Sequence, residues 1–282
     1  MKNPSDGYRL SNGVVMPCLG LGTWLMTDET AASSARCALE CGYRHIDTAA
    51  YYGNEAGVGQ GLRDSSLPRQ EIFLTTKLWN TERGYDKALF AFERSLKALK
   101  MDYVDLYLIH WPNPAPFRED WEQMNAETWR ALEKLYEEGA VRAIGVSNFY
   151  QKHILALEKS QRIAPMVNQL KLCPGLPQRD ICYFCREKGM ILSGYSPLGC
   201  GTAFQHAPLT ALAEKYGVSP ARLVLRWCLD EGFVPLPKSV TPSRIQDNAR
   251  LFDFTISPAD HEAIAAMTTV GGEAPDPDTV PF

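Results

Sequence analysis

The chain has 282 residues, 45% of them hydrophobic and 22% charged, proportions of a folded globular protein rather than a disordered one. Its 29 basic and 33 acidic side chains leave a net charge of -4, which offers no general attraction to nucleic acid or anionic lipid. No uncharged apolar run reaches the roughly 18 residues a membrane span requires, so no membrane partner is expected.

The first seven residues are polar and carry Pro4 and Gly7; they do not read as a targeting segment, and a cytoplasmic location is the expectation. Asn12-Gly13 lies between two short apolar stretches and predicts a tight hairpin over residues 7–18, with both turn residues at positive φ. Short apolar, β-branched runs follow at 19–23, 43–48, 72–77, 104–110, 141–147, 165–169, 190–195 and 233–238. Helix-period segments alternate with them, several closing on glycine: Gly42, Gly139, Gly189 and Gly232. Runs such as 104–109 are apolar almost throughout, as strands covered on both faces should be. Eight such units predict a (β/α)8 TIM barrel occupying 1–282 as one domain. The loop 111–121 and the tail 271–282 read as surface segments near a pocket mouth, the tail short enough to leave that mouth open.

The eight cysteines show no framework spacing, as expected of reduced thiols. Cys182-x-x-Cys185 is the one pair to test; a structural place on a helix is favoured over redox or metal chemistry, because no second pair accompanies it. Gly57-Val58-Gly59-Gln60-Gly61 imitates a dinucleotide-binding loop but neither follows a strand directly nor keeps the required spacing, so no Rossmann domain is read from it. Those glycines are expected to let a helix approach the barrel.

In a barrel of this kind the chemistry sits where the strands end. The runs end at Asp47, Lys77, His110, Ser147-Asn148, Asn168-Gln169, Tyr195-Ser196 and Lys238-Ser239. Any one alone fits a helix cap or a solvated side chain; the whole set points to a functional rim. The stretches 42–49, 109–112, 144–149 and 237–242, in order across nearly the whole chain, resemble those of the aldo-keto reductase family, the compact bacterial members above all. That resemblance implies a barrel without a Rossmann domain that binds NADPH and reduces aldehydes or ketones, with Asp47, Tyr52, Lys77 and His110 as the catalytic tetrad and no metal. It also implies that Thr23, Asp47, Ser147, Asn148 and Gln169 surround the nicotinamide end and that Tyr195 stacks on its ring. Ser196, Leu198 and Gly199 would then run beneath the pyrophosphate. Lys238, Ser239, Val240 and Arg244 would hold the 2′-phosphate, and Asp247 and Asn248 would approach adenine, which favours NADP(H) over NAD(H). Thr241 and Pro242 read as a helix start there.

Reducing a carbonyl builds negative charge on oxygen and requires a proton donor. A tyrosine titrating near 10 is about three units from neutrality, so Lys77, anchored by Asp47, is expected to draw Tyr52 down, while His110 donates a hydrogen bond to the carbonyl. Trp24, Tyr51, Trp79, Trp111 and Phe117, with His110, are expected to form the substrate pocket. Where the family has an acidic residue and then a histidine after Asn168-Gln169, this chain has Lys171 and Cys173, which puts local salt bridging and substrate preference in question. A metal-assisted hydrolase using His45, Asp47 and His110 is a rival that leaves Lys77 and Tyr52 without roles. A scaffold that keeps the barrel without turnover is another, and an intact tetrad speaks against it. The expected partner is a small carbonyl compound, and the expected state a monomer or weak dimer.

Overall fold

The computed structural model describes residues 1–268 and 270–282. Chain entry is an antiparallel ribbon of β1 (Gly7–Arg9) and β2 (Val15–Pro17). Its turn departs from the expectation, because Gly13 has a positive φ of 88° and Asn12 does not. The Leu10 carbonyl accepts from the Gly13 amide at 2.9 Å and the Leu10 amide donates to the Val14 carbonyl at 2.8 Å. Ser11 and Asn12 therefore form the turn and Gly13 follows as a left-handed bulge, a three-residue loop in place of a two-residue one. Asn12 instead accepts from the Val14 amide and donates to the Arg142 carbonyl, which stitches the ribbon to the barrel.

Eight parallel strands follow, each paired with its neighbours in chain order: β3 (Gly20–Gly22), β4 (His45–Asp47), β5 (Phe73–Leu78), β6 (Leu106–Ile109), β7 (Ile144–Ser147), β8 (Val167–Lys171), β9 (Ile191–Tyr195) and β10 (Phe233–Leu236). The Gly22 amide donates to the Pro237 carbonyl at 3.0 Å, so the sheet curls into the expected, nearly closed barrel. Every residue of β4, β5, β6, β7 and β10 is buried. Side chains fill the barrel inside and helices cover it outside, which is why even the polar residues of β4 and β5 are withdrawn from water.

The helices are α1 (Asp28–Glu40), α2 (Glu55–Asp64), α3 (Tyr85–Leu99), α4 (Trp121–Glu137), α5 (Gln151–Glu158), α6 (Arg179–Glu187), α7 (Ala207–Lys215), α8 (Pro220–Asp230), α9 (Pro242–Asn248) and α10 (Pro258–Ala265). Thr27, Ser219 and Ser257 each accept a first-turn amide ahead of α1, α8 and α10, satisfying donors that a helix start leaves free. The chain reverses after α1, α4, α6 and α8 at Gly42, Gly139, Gly189 and Gly232, with φ between 74° and 96°. The glycines of α2 have a different reason from the one expected. A Cβ would lie 2.1 Å from the Asp28 carbonyl oxygen at Gly57, 2.0 Å from that of Leu99 at Gly59 and 2.4 Å from that of Ala32 at Gly61. They admit neighbouring helices, not the barrel.

Candidate active site

β4 ends on Asp47, β5 carries Lys77 near its end, and His110 follows β6 directly. Tyr52 closes a single turn, Ala50–Tyr52, that ends on left-handed Gly53. These four groups converge. Lys77 Nζ donates to Asp47 Oδ1 at 2.5 Å, to the Thr48 carbonyl at 2.8 Å and to the Tyr52 hydroxyl at 3.4 Å. The Tyr52 and His110 rings meet edge to face with centroids 5.8 Å apart. Lys77 is fully buried, and removing such an ion pair from water costs several kcal/mol unless its remaining lone pairs and protons are used. Here they are, since Gln169 Nε2 donates to Asp47 Oδ2 at 2.8 Å.

The electrostatics correct one expectation. Burial, reinforced by the Asp47 charge, pushes the Tyr52 phenol well above 10.0 instead of lowering it. The ammonium is 3.4 Å from the hydroxyl but 2.5 Å from Asp47, whose negative charge works against ionisation of the phenol. Burial likewise pulls Lys77 down from 10.5 against the opposing pull of Asp47. His110 lies well below 6.5, through burial first and then Lys77 and Arg83. The floor therefore combines a phenol that keeps its proton, a compensated ion pair and a neutral imidazole.

Above the floor is a cavity of about 620 Å³. Among the residues expected there, Thr23, Trp24, Asp47, Tyr51, Tyr52, Trp79, His110 and Trp111 line it, as do Ser147, Asn148, Gln169, Tyr195, Ser196, Leu198 and Lys238. Tyr51 stacks on Trp79 at 3.6 Å between centroids. Leu25, Phe204, Pro275 and Phe282 also line it without having been singled out in the sequence. Four non-glycine residues of this wall, Leu25, Asn148, Ser196 and Cys200, have φ between 50° and 61°. Backbone in that region costs on the order of 1–3 kcal/mol per residue and concentrates at functional sites. Sequence periodicity carries no trace of it.

Phe117 is not part of the wall; it sits on a short turn, Ala115–Phe117, outside the cavity. Its place is taken by Phe282, whose ring lies 5.2 Å from that of Trp111 and 5.7 Å from that of Trp79. The tail thus adds Pro275 and Phe282 to the cavity wall. Asp278 accepts from Asn113 Nδ2 at 2.8 Å, pairs with Lys152 at 2.7 Å and hydrogen-bonds His153 at 3.0 Å, while the Phe282 carbonyl accepts from the Ala115 amide. Lys171, one of the departures from the family pattern, donates to the Glu273 carbonyl at 2.9 Å and so also holds the tail. Cys173 is buried, and its Sγ would lie 1.9 Å from a Cβ added at Gly271.

Three buried polar groups, Ser147, Asn148 and Gln169, stand together on the cavity wall. Asn148 Nδ2 donates to the His110 carbonyl, Tyr195 Oη donates to Asn148 Oδ1, and Ser147 Oγ donates to the Gln169 carbonyl. Gln169 keeps Oε1 for a ligand, so the donor and acceptor set suits a carboxamide beside the Tyr195 ring. Farther along the rim, Lys238 and Arg244 are exposed, and neither forms an ion pair among the described residues; an anionic group suits them. Gly199, Ser239, Val240, Arg244, Asp247 and Asn248 lie beyond the cavity lining. Thr241 does precede α9, but its side chain makes no capping bond; Ser239 Oγ accepts the Thr241 amide instead. Asp247 accepts from Ser219.

The rival metal site is not assembled: no three His, Cys, Asp or Glu groups among the described residues could hold an ion. His45 bonds Thr75 and Asp47 is committed to Lys77 and Gln169. Cys182 and Cys185 lie buried on α6, unpaired, with Cys185 Sγ accepting from Asn168 Nδ2.

The four groups stand together at the carboxyl ends of the strands, where parallel barrels place their sites. Residues 18–268 match the sequence model of the aldo/keto reductase family, and the chain belongs to it. It is 46% identical over 276 residues to a 9,11-endoperoxide prostaglandin H2 reductase of Trypanosoma cruzi, covering 95% of this chain and 94% of that one. To a glyoxal reductase of Bacillus subtilis it is 44% identical, covering 98% of each. A Bombyx mori aldo-keto reductase solved in complex with NADP superposes with a TM-score of 0.84 at 34% identity, covering 92% of both chains. No helix among the described residues is long and apolar enough to cross a membrane.

Proposed function

We propose that this chain reduces aldehydes and ketones to alcohols with NADPH, reversibly, with Tyr52 as the proton donor. The observation that carries this reading is the line Asp47–Lys77–Tyr52, at 2.5 and 3.4 Å, on the floor of an aromatic cavity beside His110. Ser147, Asn148, Gln169 and Tyr195 would hold the nicotinamide, and Lys238 and Arg244 the extra phosphate that distinguishes NADPH from NADH. When bound, the reduced nicotinamide supplies a hydride to the carbonyl carbon. The chain's own residues do the rest. Tyr52 delivers a proton to the oxygen as charge builds there, and its raised pKa keeps it loaded for that step. Neutral His110 donates a hydrogen bond to the same oxygen and orients it. Lys77 gives the phenolate left behind a cationic neighbour, and Asp47 keeps the lysine in place.

The substrate end of the wall is apolar, built from Trp24, Leu25, Tyr51, Trp79, Trp111, Phe204 and Phe282, and among the described residues Lys238 is the one Lys or Arg of the lining. Neutral carbonyl compounds are therefore preferred over keto acids, whose carboxylate would be desolvated without a counter-charge. The same reading takes residues 1–282 as one barrel domain acting as a monomer or weak dimer; the eight unpaired cysteines suit a reducing, cytoplasmic setting. The test follows NADPH absorbance over a panel of neutral aldehydes, dicarbonyls and keto acids, with chelator present. Turnover is expected with the neutral compounds, and Tyr52→Phe is expected to lower it by about 10² to 10⁴ with NADPH binding intact. Full turnover in that variant would remove Tyr52 as the donor.

A further inference from the structure

Among the described residues the His110 ring forms no hydrogen bond, and its Nδ1 is buried without a partner. It rests against the rings of Tyr52 and Trp79, at 5.8 and 5.3 Å between centroids. The backbone of His110 is what is tied. Its amide donates to the Leu78 carbonyl at 3.3 Å, a long bond, and its carbonyl accepts from Asn148 Nδ2 at 3.0 Å, an ordinary one. Where the ring points therefore depends on packing and on the grip of Asn148.

Chemistry leaves the Asn148 amide one orientation. The His110 carbonyl can only accept, so Nδ2 has to face it; Oδ1 then faces Tyr195 Oη at 3.0 Å, and the phenol has to donate. The second Nδ2 proton goes to Ser147 Oγ at 3.1 Å. Asn148 is 5% exposed with a φ of 61°, a backbone state that persists only where the surroundings over-determine it. The Tyr195 hydroxyl is one of those determinants. It begins a line of two hydrogen bonds that runs from the end of β9, through the residue after β7, to the residue after β6. Stacking on a nicotinamide ring asks only for the face of Tyr195, which a phenylalanine would also offer. The hydroxyl is left over from that role.

We propose that Tyr195 is a positioning residue for His110: its hydroxyl, acting through Asn148, holds the His110 backbone so that the ring faces the substrate carbonyl. This rests on the role of His110 given under the proposed function, and the test keeps the two apart. Tyr195→Phe removes one oxygen and leaves the ring. NADPH affinity by fluorescence titration and the urea midpoint are expected to stay as in the wild type, while kcat for a neutral aldehyde at saturating NADPH falls about fivefold, the scale of one hydrogen bond. In long-range ¹H–¹⁵N spectra of the NADP+ complex, the His110 ring signals should move, and those of His45, His153, His206 and His261 should not. Asn148→Gly removes the amide and accepts the φ of 61° without strain. On that background Tyr195→Phe should add nothing, in kcat or in the His110 signals, because the hydroxyl has lost the group through which it acts. Unmoved His110 signals in Tyr195→Phe, or an equal effect with and without Asn148, overturn the proposal, as does a loss of stability or NADPH affinity that accounts for the fall in kcat. Should Asn148→Gly fail to fold, the spectra of Tyr195→Phe decide alone. Absence of carbonyl reduction in the wild type would instead strike the functional reading, and the His110 signals would still judge the tie.

Discussion

On one side of the barrel mouth, Asp47, Lys77, Tyr52 and Gln169 are bonded to one another and largely withdrawn from water. On the other, Lys238 and Arg244 stand exposed with no carboxylate partner among the described residues. The first side is complete without a ligand, and its geometry is preorganised by its own hydrogen bonds. The second carries two cations without a counter-charge. Under the proposed function, the chemistry falls where the fold is most constrained and the reversible binding where side chains can rearrange.

Breaking the constrained side should have the largest effect. Lys77→Met leaves Asp47 buried without its partner, which is expected to cost about 3–5 kcal/mol of stability in urea unfolding, together with nearly all activity. Adding Asp47→Asn should return most of the stability and none of the turnover, because a neutral buried pair no longer needs compensation but cannot serve the phenol. Recovery of activity in the double variant would make the ion pair purely structural. On the open side, Lys238→Ala and Arg244→Ala should each weaken NADPH binding by roughly 10- to 100-fold, the range for a hydrogen bond to a charged group. NADH binding should change little, and isothermal titration with both cofactors separates the cases. Equal losses for the two would place the cations elsewhere than at the extra phosphate.

Much of this division was legible in the sequence, for physical reasons that differ by residue. Strand ends were visible because apolar runs stop abruptly at Asp47, Lys77 and His110, and buried strands tolerate little else. The glycine stops at 42, 139, 189 and 232 were visible because a left-handed residue is needed there. Phe282 was not visible. The tail's place near the mouth was readable, but Phe282 lies 202 residues from Asn80, whose Nδ2 donates to its carbonyl, and nothing local says that its ring joins the wall. Phe117 failed for the complementary reason, since an aromatic near the right loop carries no information about which way its turn faces. The direction of the Tyr52 shift was missed because its larger cause, burial of the phenol, and its second, the carboxylate of Asp47 beside the ammonium, both arise only when the chain folds.

The tail sharpens the contrast within the cavity itself. Phe282 is exposed but sets its ring against Trp79 and Trp111, and losing that ring should forfeit roughly 1 kcal/mol of apolar and aromatic contact with a substrate that reaches it. Phe282→Ala is expected to raise KM about fivefold for an aromatic aldehyde and to leave a two-carbon dicarbonyl compound unaffected. A uniform rise across both would mean that the ring orders the whole mouth and not just its outer wall.

The smallest effect is a matter of which group titrates. His110, held well below 6.5 by burial, Lys77 and Arg83, stays neutral through the acid side of the working range, so the reduction rate should not fall as pH drops to 6.5. On the basic side the acid must remain protonated and the lysine charged. Burial moves these in opposite directions, Tyr52 above 10.0 and Lys77 below 10.5. The falling limb at high pH should then belong to the ammonium, with the phenol still loaded when Lys77 gives up its proton. Because Lys77 survives in Tyr52→Phe, the small residual rate of that variant should fall over the same pH range as the wild type. If the limb vanishes with the phenol, Tyr52 titrates first after all, and the field of Lys77 at 3.4 Å outweighs both burial and the carboxylate beyond it.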